Sequence, residues 1–108
     1  MNEFDVLSRL NDVILSRKIS GEDESSYVST LFARGQDQIL KKISEEAAEV
    51  IMASKDNNAD AIVKEVADLW FHCLIVLAYH QVSAKDVAEE LANREGLSGI
   101  QEKLSRSK

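Results

Sequence analysis

Two stretches decide the fold: QDQILKKISEEAAEVIMAS at residues 36–54 and ADAIVKEVADLWFHCLIVLAYH at residues 59–80. Each carries apolar residues three or four positions apart, which is the spacing of one face of an α-helix. The apolar stripes are Ile39, Leu40, Ile43, Ala47, Val50 and Ile51 in the first and Ile62, Val66, Leu69, Cys73, Val76 and Leu77 in the second. A polar run at 55–58 separates them, and Asn58 or Asp60 could cap the second helix. We therefore expect two long helices joined by a tight turn.

Shorter helices are predicted outside this hairpin from apolar spacing and from residues that start or stop helices. They cover residues 3–18, residues 27–34 with a stop at Gly35, and a stretch from Ser83 to a stop at Gly96, while 20–26 is linker-like and 100–108 a short, frayed helix. The chain has no proline and four glycines, which argues against a turn-rich β fold. We expect a single all-α domain over residues 1–108, a bundle of four or five helices.

The composition argues against several classes of function. Of 108 residues, 19 are acidic and 13 are basic, and a net charge of −6 does not suit a nucleic-acid-binding face. The lone Cys73 permits neither a disulfide nor a cysteine zinc site within the chain. The nearly apolar stretch 69–79 is too short for a membrane span, and the first residues lack a signal-peptide pattern. We expect a cytoplasmic protein that binds neither nucleic acid nor membrane.

The second long helix carries a further hint in its last two turns. Residues 73–79 are apolar all round the helix. Because a small monomer has few places to bury such a segment, the pattern predicts a helical dimer interface. We expect Cys73 in the core and Trp70 in the core or in that interface.

Acidic residues form one pair on each long helix. Glu46 and Glu49 are three positions apart, as are Glu65 and Asp68, so each pair shares a helix face. At about 100° per residue, both pairs lie about 60° and 120° from an apolar stripe. In an antiparallel hairpin that turns at Asn57, Glu46 is level with Asp68. Glu49 is then level with Glu65, and the four carboxylates converge for one hand of the hairpin, which the sequence does not fix.

Converging carboxylates repel one another and lose their solvation, and a divalent cation offsets both costs. All-oxygen ligands suit a hard ion, Mg²⁺ or Mn²⁺, which binds substrate phosphates and activates water for attack on phosphorus. The alternative is a solvated acidic face, on which Glu45 and Glu46 form ordinary surface ion pairs with Lys41 and Lys42.

Three motifs resemble a known enzyme family. They are SYVSTLFARG at 26–35, KKISEEAAEV at 41–50 and EVADLWFH at 65–72. Together they resemble phosphoribosyl-ATP pyrophosphatase, which acts in the second step of histidine biosynthesis. The bare pattern EExxE…ExxD would indicate only the wider MazG-like group of all-α nucleotide pyrophosphohydrolases. The similarity runs from Phe4 to the end of the sequence and includes LANREG at 91–96 and SGIQEK at 98–103.

The resemblance implies a dimeric MazG-like helical bundle that hydrolyses phosphoribosyl-ATP to phosphoribosyl-AMP and pyrophosphate with Mg²⁺. A separate cyclohydrolase would act next in the pathway. Matching positions imply Glu46, Glu49, Glu65 and Asp68 as metal ligands, and Glu45, Glu46 and Glu49 as catalytic residues. Glu45 would be an extra ligand or an orienter of water. Val28 and Phe71 depart from the usual threonine and tyrosine, so neither position offers a hydroxyl.

Five further residues are candidates for substrate binding, each with an ordinary alternative. Lys42, on the acidic side of its helix, and Arg34 would bind phosphates, or they are simply solvated. Tyr27 would stack on the adenine or pack in the core. His72 would bond a ligand carboxylate or a phosphate, or make a local hydrogen bond. Arg94 would reach a phosphate or interact with a helix C-terminus.

Two other functions remain open at this stage. One is a MazG-like housecleaning enzyme that hydrolyses nucleoside triphosphates to monophosphates. The other is a non-enzymatic helical dimerisation module, which would show no stabilisation by Mg²⁺.

Overall fold

Five α-helices form the part of the chain that the computed structural model describes, residues 6–20 and 26–95. They are α1 (Val6–Ser20), α2 (Tyr27–Arg34), α3 (Gln36–Lys55), α4 (Ala59–Tyr79) and α5 (Ala84–Arg94). Within those residues there is no strand, so the all-α prediction is confirmed. None of these five helices is both long and apolar enough to cross a membrane. The predicted helix start at 3–5, most of the linker at 20–26, the stop at Gly96 and the tail helix at 100–108 lie outside the described residues.

The two long helices form the predicted hairpin. Asp56 ends α3, and Asn57 makes the turn with a positive φ of 54°. Of the two candidate caps, Asn58 is the one used, because its side-chain oxygen accepts a hydrogen bond of 3.1 Å from the Ala61 N–H. The short turn folds α4 back along α3, and these two helices make the most extensive packing in the chain.

A tight junction at Gly35 joins α2 directly to α3. The Gly35 N–H donates to the carbonyls of Leu31 and Phe32, at 3.1 and 3.2 Å, and so closes α2. Its φ of +96° belongs to a region that other residues rarely adopt. Because α3 begins at the next residue, the chain changes direction sharply at Gly35. Helix α2 packs against both α1 and α3.

The core lies where α1 and α2 cover the hairpin. Ile14, Ile39 and Ile75, one each from α1, α3 and α4, are fully buried at its centre. Helix α5 packs on α1, where the Ala84 N–H donates to the buried Asn11 side chain at 3.0 Å. The predicted start of α5 is confirmed, since Ser83 and Asp86 cap each other reciprocally.

The apolar segment 73–79 is partly buried within this chain, and its predicted dimer interface stays a prediction. Leu74, Ile75 and Ala78 are buried in the core of this chain, and the other four residues are half-buried. The reason is that α1 packs against α4, and that α1, α2 and α3 supply the other residues of the same core cluster. Trp70 instead stands outside the core, 57% exposed, at a groove of about 500 Å³ between α1 and α4. Cys73 is half-buried rather than a fully buried core residue.

Candidate active site

The hairpin brings three of the four predicted metal ligands together. One carboxylate oxygen from each of Glu46, Glu49 and Glu65 lies within 4.8 Å of the others. The carboxylate oxygens of Glu49 and Glu65 come this close together, as their predicted common level on the hairpin requires. The hand of the hairpin, which the sequence left open, is therefore the one that makes the acidic pairs converge. We call these three residues the glutamate cluster.

Two oxygens of the glutamate cluster are buried without a hydrogen-bond partner. They are Oε2 of Glu46, a residue only 6% exposed, and Oε2 of Glu65. Buried carboxylate oxygens normally have a hydrogen-bond partner, because without one they lose their hydration and gain no compensating interaction. A hard divalent cation offers both oxygens a ligand bond, and Glu49, which is exposed, leaves the cluster open to solvent. The residues present therefore fit such an ion.

The pKa values of the cluster record the crowding of negative charge. The pKa of Glu65 is raised to about 7, first by its hydrogen bond to Glu49 and then by burial and neighbouring carboxylates. Burial is the main cause of the raised pKa of Glu46, followed by its bond to Glu49 and by nearby negative charge. The pKa of Glu49 is lowered, first by its interaction with the Glu65 carboxyl and then by its interaction with Glu46. A cation bound at the cluster would therefore compete with protons for these carboxylates.

A positively charged side chain, that of Lys42, lies beside the glutamate cluster. The ammonium of Lys42 lies 3.4 Å from Oε2 of Glu45 and 3.7 Å from Oε1 of Glu46. Although burial opposes it, the bond to Glu45 and the negative groups around it raise the pKa of Lys42. With three N–H donors, Lys42 can hold Glu45 and still reach an incoming phosphate. Glu45 itself is exposed beside the cluster.

Asp68, the fourth predicted ligand, is not part of the glutamate cluster. It is exposed and lines the groove between α1 and α4. Its charge nevertheless acts on Glu46 and Glu65, raising the pKa of both. Asp68 therefore lies at the edge of the site in this structure, and its role as a ligand stays a prediction.

A hydrogen-bonded pair that the sequence did not predict lies beside the cluster. The Tyr27 hydroxyl is 2.7 Å from Nε2 of His72, and Nδ1 of His72 is 2.7 Å from the main-chain oxygen of Asp68. His72 is buried at 5% exposure, whereas Tyr27 is 49% exposed. Both ring nitrogens of His72 are thus engaged by the protein, so the local hydrogen bond is the interpretation that the structure favours. No sequence signal links Tyr27 to His72, because they lie on different helices, 45 positions apart.

The two predicted arginines lie elsewhere. Arg34 is exposed at the end of α2, and α3 carries the chain about 15 Å from there to Glu46. Arg94 lies on α5, which packs on α1, and its Nε is 3.3 Å from Glu90. Their contacts with substrate phosphate stay predictions.

Fold and site together define a class: an all-α protein in which a helical hairpin gathers carboxylates, with one lysine beside them, into a cluster that fits a hard cation. The comparison with known families narrows this class. A family model described as phosphoribosyl-ATP pyrophosphohydrolase matches residues 7–95. The chain belongs to this family.

Individual relatives agree with the family match over nearly the whole chain. A protein of Nitrosomonas eutropha named phosphoribosyl-ATP pyrophosphatase is 54% identical over 102 residues, which are 94% of this chain and 86% of that protein. Proteins of the same name from Nitrosospira multiformis and Neisseria meningitidis are 52% and 53% identical. Those alignments cover 98% and 94% of this chain, and 87% and 94% of the relatives. The resemblance found in the three motifs is therefore confirmed.

Proposed function

We propose that this chain hydrolyses phosphoribosyl-ATP to phosphoribosyl-AMP and pyrophosphate, the activity for which its relatives are named. The observation that carries the proposal is the glutamate cluster, with its two buried and unpartnered oxygens. A cation is needed there because the substrate is a polyphosphate and the protein carries a net charge of −6. The reaction serves histidine biosynthesis.

Mg²⁺ or Mn²⁺ is the cation that the donor set favours. Glu46, Glu49 and Glu65 would hold it, with Asp68 as the further ligand at the edge. When bound, the cation neutralises charge on the phosphates and lowers the pKa of a bound water. An all-carboxylate donor set without thiolate or imidazole suits these ions rather than Zn²⁺.

The remaining side chains bind the substrate and move the proton. Lys42 donates hydrogen bonds to a phosphate from its place beside Glu46. Glu45, exposed and adjacent, accepts the proton of the attacking water. Attack on the phosphorus next to the ribose forms one P–O bond and breaks the bond to the bridging oxygen, so pyrophosphate leaves.

The deciding experiment measures pyrophosphate release from phosphoribosyl-ATP with and without Mg²⁺. We expect turnover that depends on Mg²⁺ and falls about 100-fold or more in Glu46→Gln. Glu89→Gln, a matched change at an exposed position of α5, should keep wild-type turnover. Helical circular dichroism should be the same in all three proteins. Full activity in Glu46→Gln would refute the assignment of the cluster.

A substrate panel separates this proposal from the two alternatives. Faster hydrolysis of ordinary nucleoside triphosphates than of phosphoribosyl-ATP would indicate a housecleaning pyrophosphohydrolase. A dimerisation module would hydrolyse neither and would not be stabilised by Mg²⁺, whereas a metal site raises the melting temperature as ion is added.

We further propose that the enzyme works in the cytoplasm as a homodimer and passes its product to a separate cyclohydrolase. Support for the dimer comes from large apolar side chains that this chain leaves exposed. Among them are Ile51, Val63 and Trp70 on the hairpin. Single chains seldom keep several such residues on one surface.

A further inference from the structure

The bonds of His72 fix where its proton lies. The main-chain oxygen of Asp68 can only accept, so Nδ1 of His72 is the donor in their 2.7 Å bond. In a neutral imidazole the other nitrogen, Nε2, then has a lone pair and no proton. The Tyr27 hydroxyl, 2.7 Å away, must therefore donate to Nε2.

This direction determines what the Tyr27 oxygen can do. Its single proton points at His72, so toward the site the oxygen offers only lone pairs. The phenol lies about one helical turn along the hairpin from the level of Glu46, since its partner His72 follows Asp68 by four residues and bonds to the main-chain oxygen of Asp68. The hydroxyl is thus a fixed hydrogen-bond acceptor.

An attacking water is held in one orientation when both of its hydrogens have acceptors, because a lone pair then stays aimed at phosphorus. A carboxylate takes one hydrogen and receives it as the proton of the reaction. The Tyr27 oxygen offers a second, neutral acceptor.

We propose, on the basis of the function proposed above, that Tyr27 orients the attacking water and that His72 is the positioning residue that makes this possible. His72 takes the hydroxyl proton of Tyr27 and thereby turns the phenol oxygen into the second acceptor for the water. The water oxygen bonds to phosphorus, one of its protons passes to a carboxylate, and pyrophosphate leaves with the electrons of the broken P–O bond. Tyr27 keeps its own proton throughout.

The central test compares two substitutions of His72. Glutamine can place its amide oxygen near the position of Nε2 and still accept from Tyr27, whereas asparagine is shorter and reaches only the position of Nδ1. We expect His72→Gln to keep kcat within about threefold and His72→Asn to lose about 10- to 100-fold, with KM nearly unchanged in both. Tyr27→Phe should show the same fall in kcat as His72→Asn.

The double variant tests whether His72 acts through Tyr27. Adding His72→Asn to Tyr27→Phe should produce no further fall in kcat, since the hydroxyl that His72 holds is already gone. Multiplied losses, equal losses in the glutamine and asparagine variants, or losses that follow the melting temperature would show a merely structural role and overturn the proposal.

A measurement without substrate tests the Tyr27–His72 hydrogen bond independently of the proposed function. Nitrogen NMR of the His72 ring at pH 8 should show the proton on Nδ1 in the wild type. A proton on Nε2 would overturn the pair even in an active enzyme. A wild type that fails to hydrolyse phosphoribosyl-ATP would overturn the proposed function and the role in water orientation, while leaving the hydrogen-bonded pair itself in place.

Discussion

Glu49 and Glu65 face each other across the hairpin and compete for a proton, which moves their pKa values in opposite directions. The pKa of Glu65 is raised to about 7, and the pKa of Glu49 is lowered. Around neutral pH the two residues together carry less than their full negative charge. Cation binding must expel that proton, so the affinity for Mg²⁺ should rise with pH through this range.

The same proton predicts how the stability of the metal-free protein depends on pH. The pKa of Glu65 rises from 4.5 in the free residue to about 7 in the fold. Between these values the folded chain binds more protons than the unfolded chain, so stability falls as pH rises. Glu49 contributes the opposite trend at lower pH, because its lowered pKa gives stability that is lost on acidification.

Melting temperatures measured in EDTA from pH 4.5 to 8 test this prediction. The wild type should lose stability relative to Glu65→Gln as pH rises, because the variant has no carboxyl to titrate. Saturating Mg²⁺ should remove most of the wild-type decline. Parallel curves for the two proteins in EDTA would contradict the raised pKa of Glu65.

Glu46 carries a second prediction at the residue scale. Its buried, unpartnered oxygen destabilises the metal-free fold, and Glu46→Gln removes the charge while keeping the shape. In EDTA at pH 8 the variant should therefore melt at a higher temperature than the wild type. Its gain in melting temperature on adding Mg²⁺ should be much smaller. Glu89→Gln is the control, and a variant that responds to Mg²⁺ as the wild type does would place the ion elsewhere.

At the scale of the elements, Gly35 sets the angle between α2 and α3. A Cβ at this position would meet no atom within 4 Å, so the obstacle to substitution is the φ of +96° alone. Gly35→Ala should destabilise the protein by about 1–3 kcal/mol. Chemical denaturation gives the value, and Ser44→Ala, at an exposed position of α3, should stay within about 0.5 kcal/mol. If Gly35→Ala left the free energy of unfolding unchanged, the junction would be able to relax without loss of stability.

The helices and their ends were predictable because their causes are local. Ser83 with Asp86, Asn58 and Gly35 each act within four residues of the boundary that they set. The short turn also made it predictable that Glu49 and Glu65 lie at the same height along the hairpin. The hand of the hairpin was not predictable, since equal angular offsets on the two helices converge for one hand and diverge for the other.

Contacts between helices that are far apart in the sequence could not be predicted, because their causes are not local. Periodicity shows that residues 73–79 are apolar, but it does not show which helices pack against them. It also cannot show that Tyr27 reaches His72 or that Asp68 stands apart from the glutamate cluster. These contacts depend on how the helices pack in three dimensions, and local sequence patterns do not determine that packing.

At the scale of the whole molecule, the two flanks of the hairpin differ. At about 100° per residue, Ile51 lies about 80° from the apolar stripe on the side opposite Glu46. Trp70 lies at a similar angle on the side opposite Glu65. One flank therefore carries the glutamate cluster, and the other carries large apolar side chains that remain more than half exposed.

The apolar flank predicts the assembly. Burying a large apolar side chain contributes about 1.5–3 kcal/mol, and a symmetric dimer uses each residue twice. If Trp70 lies in that interface, Trp70→Glu should raise the dimer dissociation constant at least about 100-fold. Light scattering at micromolar concentration should then show a wild-type dimer and a 12.0 kDa monomeric variant. Lys64→Glu, which puts a carboxylate at an exposed polar position of α4, should remain dimeric, and a monomeric wild type would sink the prediction.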